Sequence, residues 1–175
     1  MPYPEQLVAP MRAELTRIGV TELRSPEEVD DVFGDAPEGT TMLVVNSVCG
    51  CAAANARPAI TMALRTDVVP SRFVTVFAGQ DLEATARARE YMPGIPPSSP
   101  FIALFRGADP VYVLERRHIE GRTASAIATD LVDAFQKYCS DAASGDGADT
   151  TTGVQSPEVA EKRSDDLPPT FRSIL

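Results

Sequence analysis

The sequence predicts an α/β fold in which a central mixed sheet of about four strands is flanked by helices, with extra helices at the amino terminus. Residues 41–46 form a continuous apolar run, which is typical of a strand buried on both faces. Residues 72–77 form a second strand-like segment, and an alanine-rich, glycine-free helical segment separates the two. The 175-residue chain, 43% hydrophobic, is long enough to bury one core.

The amino-terminal region is predicted to contain two helices. The first is indicated by apolar residues at spacings of four and three, which share one helix face: Leu7, Met11, Leu15 and Ile18. Gly19 ends this helix. The second begins at Ser25, a residue that can cap a helix, with Pro26 at the first helical position and Glu28 completing a capping box. Both helices precede the first predicted strand.

Strands and helices alternate in the next part of the chain. An alanine-rich helix over 52–64 follows the first strand, and Pro58 should kink it. The strand at 72–77 leads to a helix that Asp81 can cap and that ends near Tyr91. This order predicts a parallel pair of strands joined by a right-handed crossover.

The last part of the predicted domain is a hairpin followed by a helix. A proline-rich loop over 93–100 leads to strands at 101–105 and 111–114, and a helix covers about 123–138. A strand–helix–strand unit joined to a strand–strand–helix unit is the thioredoxin arrangement. We therefore predict a thioredoxin-like fold.

The composition changes after Cys139. Residues 140–175 are rich in Ser, Gly, Asp and Thr and carry a net charge of −4, out of −9 for the whole chain. Because few of these residues can form a core, we predict one domain over 1–139 and an acidic, mostly disordered tail over 140–175. One alternative is an interaction module in which this tail recruits a partner.

The overall charge and hydropathy bear on partners and location. An acidic chain with a pI near 4.6 disfavours nucleic acid as a partner. No apolar run approaches the roughly 18–20 residues that a membrane helix needs, and no secretory signal is visible at the amino terminus. We therefore expect a cytoplasmic protein with no membrane partner, in a compartment where structural disulfides are rare.

Two of the three cysteines lie one residue apart, between the first strand and the start of a helix. Free backbone N–H groups and the positive end of the helix dipole favour an anion there, so the pKa of a thiol should fall. Cys49 is therefore the candidate nucleophile, and Cys51 lies within reach to resolve a mixed disulfide. Gly50 supplies backbone freedom for the two sulfurs to approach.

Other interpretations of the cysteines remain open. The pair could simply be small buried apolar residues. A metal or iron–sulfur site could use Cys49 and Cys51 with Cys139 and His118, although the usual second close-spaced pair is missing. Cys139 itself could be a resolving thiol, an intermolecular partner or inert. His118, the single histidine, is expected on a surface loop.

The loop before the third strand is a second candidate element of the site. In a thioredoxin-like fold, the residue that enters this strand faces the active-site cysteine. A cis-proline there would hold backbone groups open for a peptide substrate, and this position favours a cis bond between Ser99 and Pro100. The alternative is an ordinary proline-rich loop.

Residues 44–53 (VVNSVCGCAA) followed by 56–59 (ARPA) resemble the core signature of the bacilliredoxins, which are bacterial thioredoxin-fold proteins with a Cys-Gly-Cys site. Further matching stretches are 8–12, 75–81, 89–91, 97–100 and 119–121. The resemblance covers 3–139 almost without a gap, and Cys139 also matches a cysteine near the end of family members. One departure is the order Arg116-Arg117-His118-Ile119, in which the histidine is displaced by one position.

The resemblance implies a function: bacilliredoxins remove bacillithiol from protein cysteines. Disulfide isomerase activity has also been associated with the group. Cys49 would attack the mixed disulfide, and Cys51 or a second bacillithiol would release the adduct. The substrate-binding residues implied are Ser99, Pro100, Asn46 and Gly50. Ser99 and Pro100 would line the groove, and Asn46 with Ser47 would shape the strand end beneath the thiolate. Cys139 would be a possible auxiliary thiol.

The partners that follow are S-thiolated client proteins, a low-molecular-weight thiol (bacillithiol or an equivalent) and its reductase. We expect no cofactor and no metal, and a monomer or weak homodimer. The alternative function is a protein disulfide isomerase or reductase, and a less favoured one is a cysteine-based metal or iron–sulfur protein.

Overall fold

The computed structural model describes residues 2–34, 38–140 and 155–157. Its elements are α1 (Glu5–Thr16), β1 (Thr21–Glu22), α2 (Pro26–Phe33), β2 (Thr40–Asn46), a π-helical turn (Ala52–Ala56), α3 (Arg57–Ala63), β3 (Arg72–Phe77), α4 (Leu82–Glu90), β4 (Phe101–Arg106), β5 (Asp109–Leu114), α5 (Arg116–Ile119) and α6 (Ala124–Cys139). Almost all of the predicted tail, 140–175, lies outside the described residues.

The sheet has five strands in the order β1-β3-β2-β4-β5. β2 is parallel to β3 and antiparallel to β4, and β4 and β5 form the predicted hairpin. The predicted α/β, thioredoxin-like class is therefore confirmed, and the sheet is mixed as expected. The fifth strand is β1, which pairs with β3 over only two residues. A segment this short has no detectable periodicity, so the sequence did not reveal it.

The continuous apolar run of β2 divides its side chains between two cores. Met42 and Val44 pack in one cluster with α3 and α6. Leu43 and Val45 pack in the other with α2 and α4. All seven residues of β2 are buried, because successive side chains of a strand point to opposite faces and both faces are covered. This strand therefore fixes the position of everything that follows its carboxyl end.

The helix predictions hold with three corrections, which concern the face of α1, the capping role of Asp81 and the helix over 52–64. The capping box of α2 is confirmed, with the Ser25 side chain accepting from the Glu28 N–H. The predicted face of α1 is confirmed at Leu15, which is buried, but Leu7 is 49% exposed, and Met11 and Ile18 are half-buried. The buried residues of α1 are Val8, Arg12 and Leu15.

The burial of Arg12 explains the departure at the face of α1 and also the absence of the expected side-chain cap at Asp81. Its guanidinium contacts Asp81 at 2.7 and 2.8 Å and Glu22 at 2.9 Å, and it lies over the ring of Phe77. Asp81 occupies the N-cap position of α4 as predicted, but its side chain does not cap the helix. Its carboxylate pairs with Arg12 instead, so α1 is attached to β1 and to the start of α4 by charge as well as by the buried Val8 and Leu15.

The predicted helix over 52–64 is divided in two. A π-helical turn (Ala52–Ala56) comes first, and Pro58 lies in the first turn of α3. Because proline has no N–H to donate, it disrupts the regular helical pattern, and the wide turn just before it accommodates this change. No helix of the described residues is long and apolar enough to cross a membrane.

We expect the R12M substitution to lower the free energy of unfolding by about 3 kcal/mol, because it leaves the largely buried carboxylate of Asp81 without its cation and Glu22 with only the exposed Arg24. The matched control is R24M, which removes an arginine that also contacts Glu22 but is 52% exposed. That change should cost less than about 0.5 kcal/mol. Urea denaturation of both variants measures the difference, and equal effects would contradict a structural role for the Arg12 cluster.

Candidate active site

The cysteine pair lies in the loop between β2 and the π-helical turn, at the carboxyl end of the central strand. The Sγ atoms of Cys49 and Cys51 are 2.6 Å apart, and both residues are half-buried free thiols. Gly50 has no left-handed φ, so backbone freedom is not what this position requires. A Cβ on Gly50 would meet no atom within 4 Å, so the space beside this residue is open.

The surroundings of Cys49 favour its thiolate. The Ser47 hydroxyl donates to Sγ at 3.2 Å, and the Ala52 N–H donates at 3.3 Å. Burial alone would raise the pKa of Cys49. The hydrogen bonds from Cys51, Ser47 and Ala52, together with the positive charge of Arg116, outweigh burial and lower it. The thiolate of Cys49 therefore persists to lower pH than that of an ordinary cysteine.

Cys51 shows the opposite behaviour. Burial raises the pKa of Cys51, and its hydrogen bond to Cys49 and the negative charge there raise it further. When the pair loses its first proton, the charge therefore resides on Cys49 and the remaining proton on Cys51. This asymmetry distinguishes an attacking sulfur from a sulfur that reacts later.

A buried arginine holds the backbone beneath the pair. Arg57, 2% exposed, donates to the Ser47 carbonyl at 3.1 Å and to the Asn46 side-chain oxygen at 3.2 Å. Its Nε donates to Glu14 of α1 at 2.7 Å. Sequence reasoning did not assign Arg57 a role. A lone charge within an otherwise apolar helical segment was the available signal.

The position of Asn46 corrects one predicted substrate contact. Its side chain is 1% exposed, and its oxygen also accepts from the Ser47 N–H at 2.9 Å. Because this oxygen is already engaged by Ser47 and Arg57, Asn46 fixes the loop rather than facing a substrate.

The loop before β4 reaches the same end of the sheet. The Ser99–Pro100 bond is cis, as its position favours. Phe101, the next residue, pairs with Val45 near the end of β2, which places Pro100 close to the strand that carries the cysteines. Pro100 is buried and Ser99 half-buried. The residues that the sequence predicts for the site therefore lie at the same end of the sheet, where β2 ends and β4 begins: 46, 49–51 and 99–100.

The short helix α5 places a positive charge near this end of the sheet. The main-chain N–H of Arg116, the first residue of α5, donates to the Ser98 hydroxyl at 3.2 Å. Its guanidinium is 47% exposed, pairs with Glu120 and contributes to lowering the pKa of Cys49. α5 has only four residues, too few to show a periodic pattern, so the sequence did not indicate Arg116.

The expectation for His118 is wrong. It lies in α5 and is 3% exposed, and its Nδ1 accepts from the Glu115 N–H at 3.0 Å. Burial, followed by the charge of Arg117, lowers the pKa of His118, so the ring is neutral at pH 7. Its role in this position is to close the first turn of a short helix.

Cys139 is not brought to the pair. It is 6% exposed in the core, where burial raises its pKa, and its electrostatic neighbours are Thr40 and Arg106. Thr40 begins β2 and is paired with Arg106, whereas the cysteine pair follows the other end of β2, about 20 Å away at 3.3 Å per residue. Among the described residues, no group of three or more His, Cys, Asp and Glu is placed to hold a metal.

Comparison with known proteins bears on this arrangement. Residues 3–139 match a family model described as disulphide isomerase. A bacilliredoxin of Salinibacter ruber is 58% identical over 99% of both chains, and a second from that organism is 54% identical over 99% of both. The chain belongs to the bacilliredoxin family. As a bacilliredoxin it is a thiol–disulfide oxidoreductase, which agrees with the resemblance found in its sequence.

The bacilliredoxins differ in how much of this chain they match. A bacilliredoxin of Geobacillus kaustophilus is 53% identical over 78% of this chain and 94% of its own. The two Salinibacter bacilliredoxins instead match the chain through its acidic carboxyl-terminal region. A bacilliredoxin can therefore consist of the predicted domain with little else.

We expect R116Q to raise the pKa of Cys49 and to slow its alkylation severalfold below that pKa, because a nearby positive charge no longer favours the thiolate. The rate of iodoacetamide labelling of Cys49 across pH, followed by mass spectrometry, measures this change. R117Q is the matched control: Arg117 lies in the same helix, is 71% exposed and pairs with Glu115. An equal change in both variants would mean that Arg116 has no specific influence on Cys49.

Proposed function

We propose that this chain removes bacillithiol from client proteins, with Cys49 as the nucleophile and Cys51 as the resolving thiol. The observation that carries the proposal is the opposite direction of the two pKa shifts at sulfurs 2.6 Å apart. Hydrogen bonds from Ser47 and the Ala52 N–H support the assignment, because both converge on Cys49.

In the first step, the Cys49 thiolate attacks the bacillithiol sulfur of a protein–bacillithiol disulfide. A new disulfide forms between Cys49 and bacillithiol, the original one breaks, and the client leaves as a thiolate that is protonated by solvent. The Ser47 hydroxyl and the Ala52 N–H hold the attacking sulfur before the step. The open space beside Gly50 leaves room for the incoming disulfide.

In the second step, Cys51 loses its proton and attacks the Sγ of Cys49. Bacillithiol leaves as a thiolate, and a Cys49–Cys51 disulfide remains. The two electrons of the pair now reside on the released client and bacillithiol thiols. A low-molecular-weight thiol and its reductase must return two electrons to the pair, because Cys139 lies at the other end of the sheet.

The substrate groove would run between the cysteine pair and the loop before β4. Ser99 is half-buried at this edge and is the residue of the loop that we assign to substrate contact, with Pro100 packed beneath it. Arg116 lies on the same side, since its N–H is bonded to Ser98. Its exposed pair with Glu120 is weak enough to exchange for an anionic group of a substrate.

A second candidate function is isomerisation or reduction of protein disulfides, favoured by the description of the matching family model. The same two thiols would serve, with Cys49 attacking a protein disulfide. Turnover on a bacillithiolated client, compared with turnover on a protein containing scrambled disulfides, separates the two functions. We expect faster turnover of the bacillithiolated client, and the reverse order would favour the isomerase.

We expect C49S to abolish release of bacillithiol from a modified client. C51S should still complete the first step and accumulate bacillithiol on Cys49, visible as an added mass on the intact protein. The control C139S should behave like the wild type, because that thiol is buried away from the pair. Release by C49S at the wild-type rate would refute the mechanism.

A further inference from the structure

The described part of the carboxyl-terminal region contacts the edge of the sheet through its main chain. The Gln155 N–H donates to the Val111 carbonyl at 3.1 Å, and the Gln155 carbonyl accepts from the Val113 N–H at 2.7 Å. These two bonds form a parallel bridge to Tyr112. Because β5 is the last strand in the sheet order, the bonds use backbone groups that would otherwise face solvent.

A side-chain contact fixes the position of this bridge. Lys137 of α6 donates to the Gln155 side-chain oxygen at 2.6 Å. Pro157 has no N–H, so it ends the pattern two residues later.

We propose that the stretch 155–157 acts through Gln155 as an added edge strand, which covers the open edge of β5 in its own molecule and prevents that edge from pairing with a second copy. An uncovered edge strand is a template for association with another chain. The bridge at Tyr112 covers the Val111 carbonyl and the Val113 N–H of this edge.

The chain between α6 and Gln155 is long enough to make this connection within one molecule. α6 ends close to the start of β5, since Arg106, at the β4–β5 turn, donates to the Tyr138 carbonyl at 3.1 Å. Residues 141–154 join α6 to Gln155 and span at most about 46 Å when fully extended. This length greatly exceeds that of the six-residue strand β5. The chain can therefore return along β5 in the parallel direction.

The test uses the full chain and the Q155P substitution, which removes the N–H that bonds to Val111. We expect hydrogen–deuterium exchange of the segment containing Val113 to accelerate roughly fivefold, the factor typical of one lost hydrogen bond. The matched control is S156P, which adds a proline where no main-chain bond to a described residue is lost. Exchange at Val113 should stay at the wild-type rate in this control.

A second measurement tests the consequence for association. Sedimentation velocity at rising protein concentration should show self-association of Q155P and of a chain ending at Ser140, but not of the wild type or S156P. The shortened chain should fold, because the Geobacillus bacilliredoxin matches little beyond this domain. Release of bacillithiol from a client should be unchanged in every variant, so this test is independent of the proposed function.

Two results would overturn the proposal. One is equal exchange at Val113 in the wild type, Q155P and the shortened chain, which would mean that Gln155 does not cover the edge. The other is protection of Val113 in the wild type that disappears on dilution, which would mean that the strand comes from a second copy.

Discussion

The geometry of the site depends on the hydrogen bonds that the guanidinium of Arg57 donates. It joins α1, the end of β2 and the helix after the cysteine pair through its bonds to Glu14, Asn46 and the Ser47 carbonyl. A buried cation is tolerated only when its partners are held in place, so each of these groups is fixed. Ser47 in turn donates its hydroxyl to Cys49. The surroundings of the thiolate are thus determined by a charge that does not touch it.

This arrangement explains how two cysteines in nearly the same place come to differ. Donors from the loop and from the start of the π-helical turn converge on Cys49, whereas the sulfur of Cys51 is paired with Cys49 itself. Burial opposes the charged form of both thiols, and the donors outweigh it only at Cys49. A difference in hydrogen bonding, rather than in exposure, therefore separates the two chemical roles.

The features that were predictable from the sequence are those encoded by neighbouring residues. The apolar run of β2, the capping box at Ser25 and the placement of the cysteines between a strand and a helix all depend on short segments. The contacts that escaped prediction join distant residues: Arg57 is 43 positions from Glu14, and Arg12 is 69 positions from Asp81. A charged residue on a helix is expected in solvent, so periodicity assigns the wrong face whenever tertiary pairing buries it.

The distance of Cys139 from the pair constrains how a Cys49–Cys51 disulfide can be reduced. A thiol in the core with a raised pKa is a poor nucleophile, and β2 separates it from the other two along its whole length. Once Cys49 and Cys51 have joined, no third thiol of the domain can take over the disulfide. The attacking reductant must therefore come from outside the chain. In the proposed exchange the client leaves in the first step, before the Cys49–Cys51 disulfide forms, so the reductant meets a pair that no client occupies.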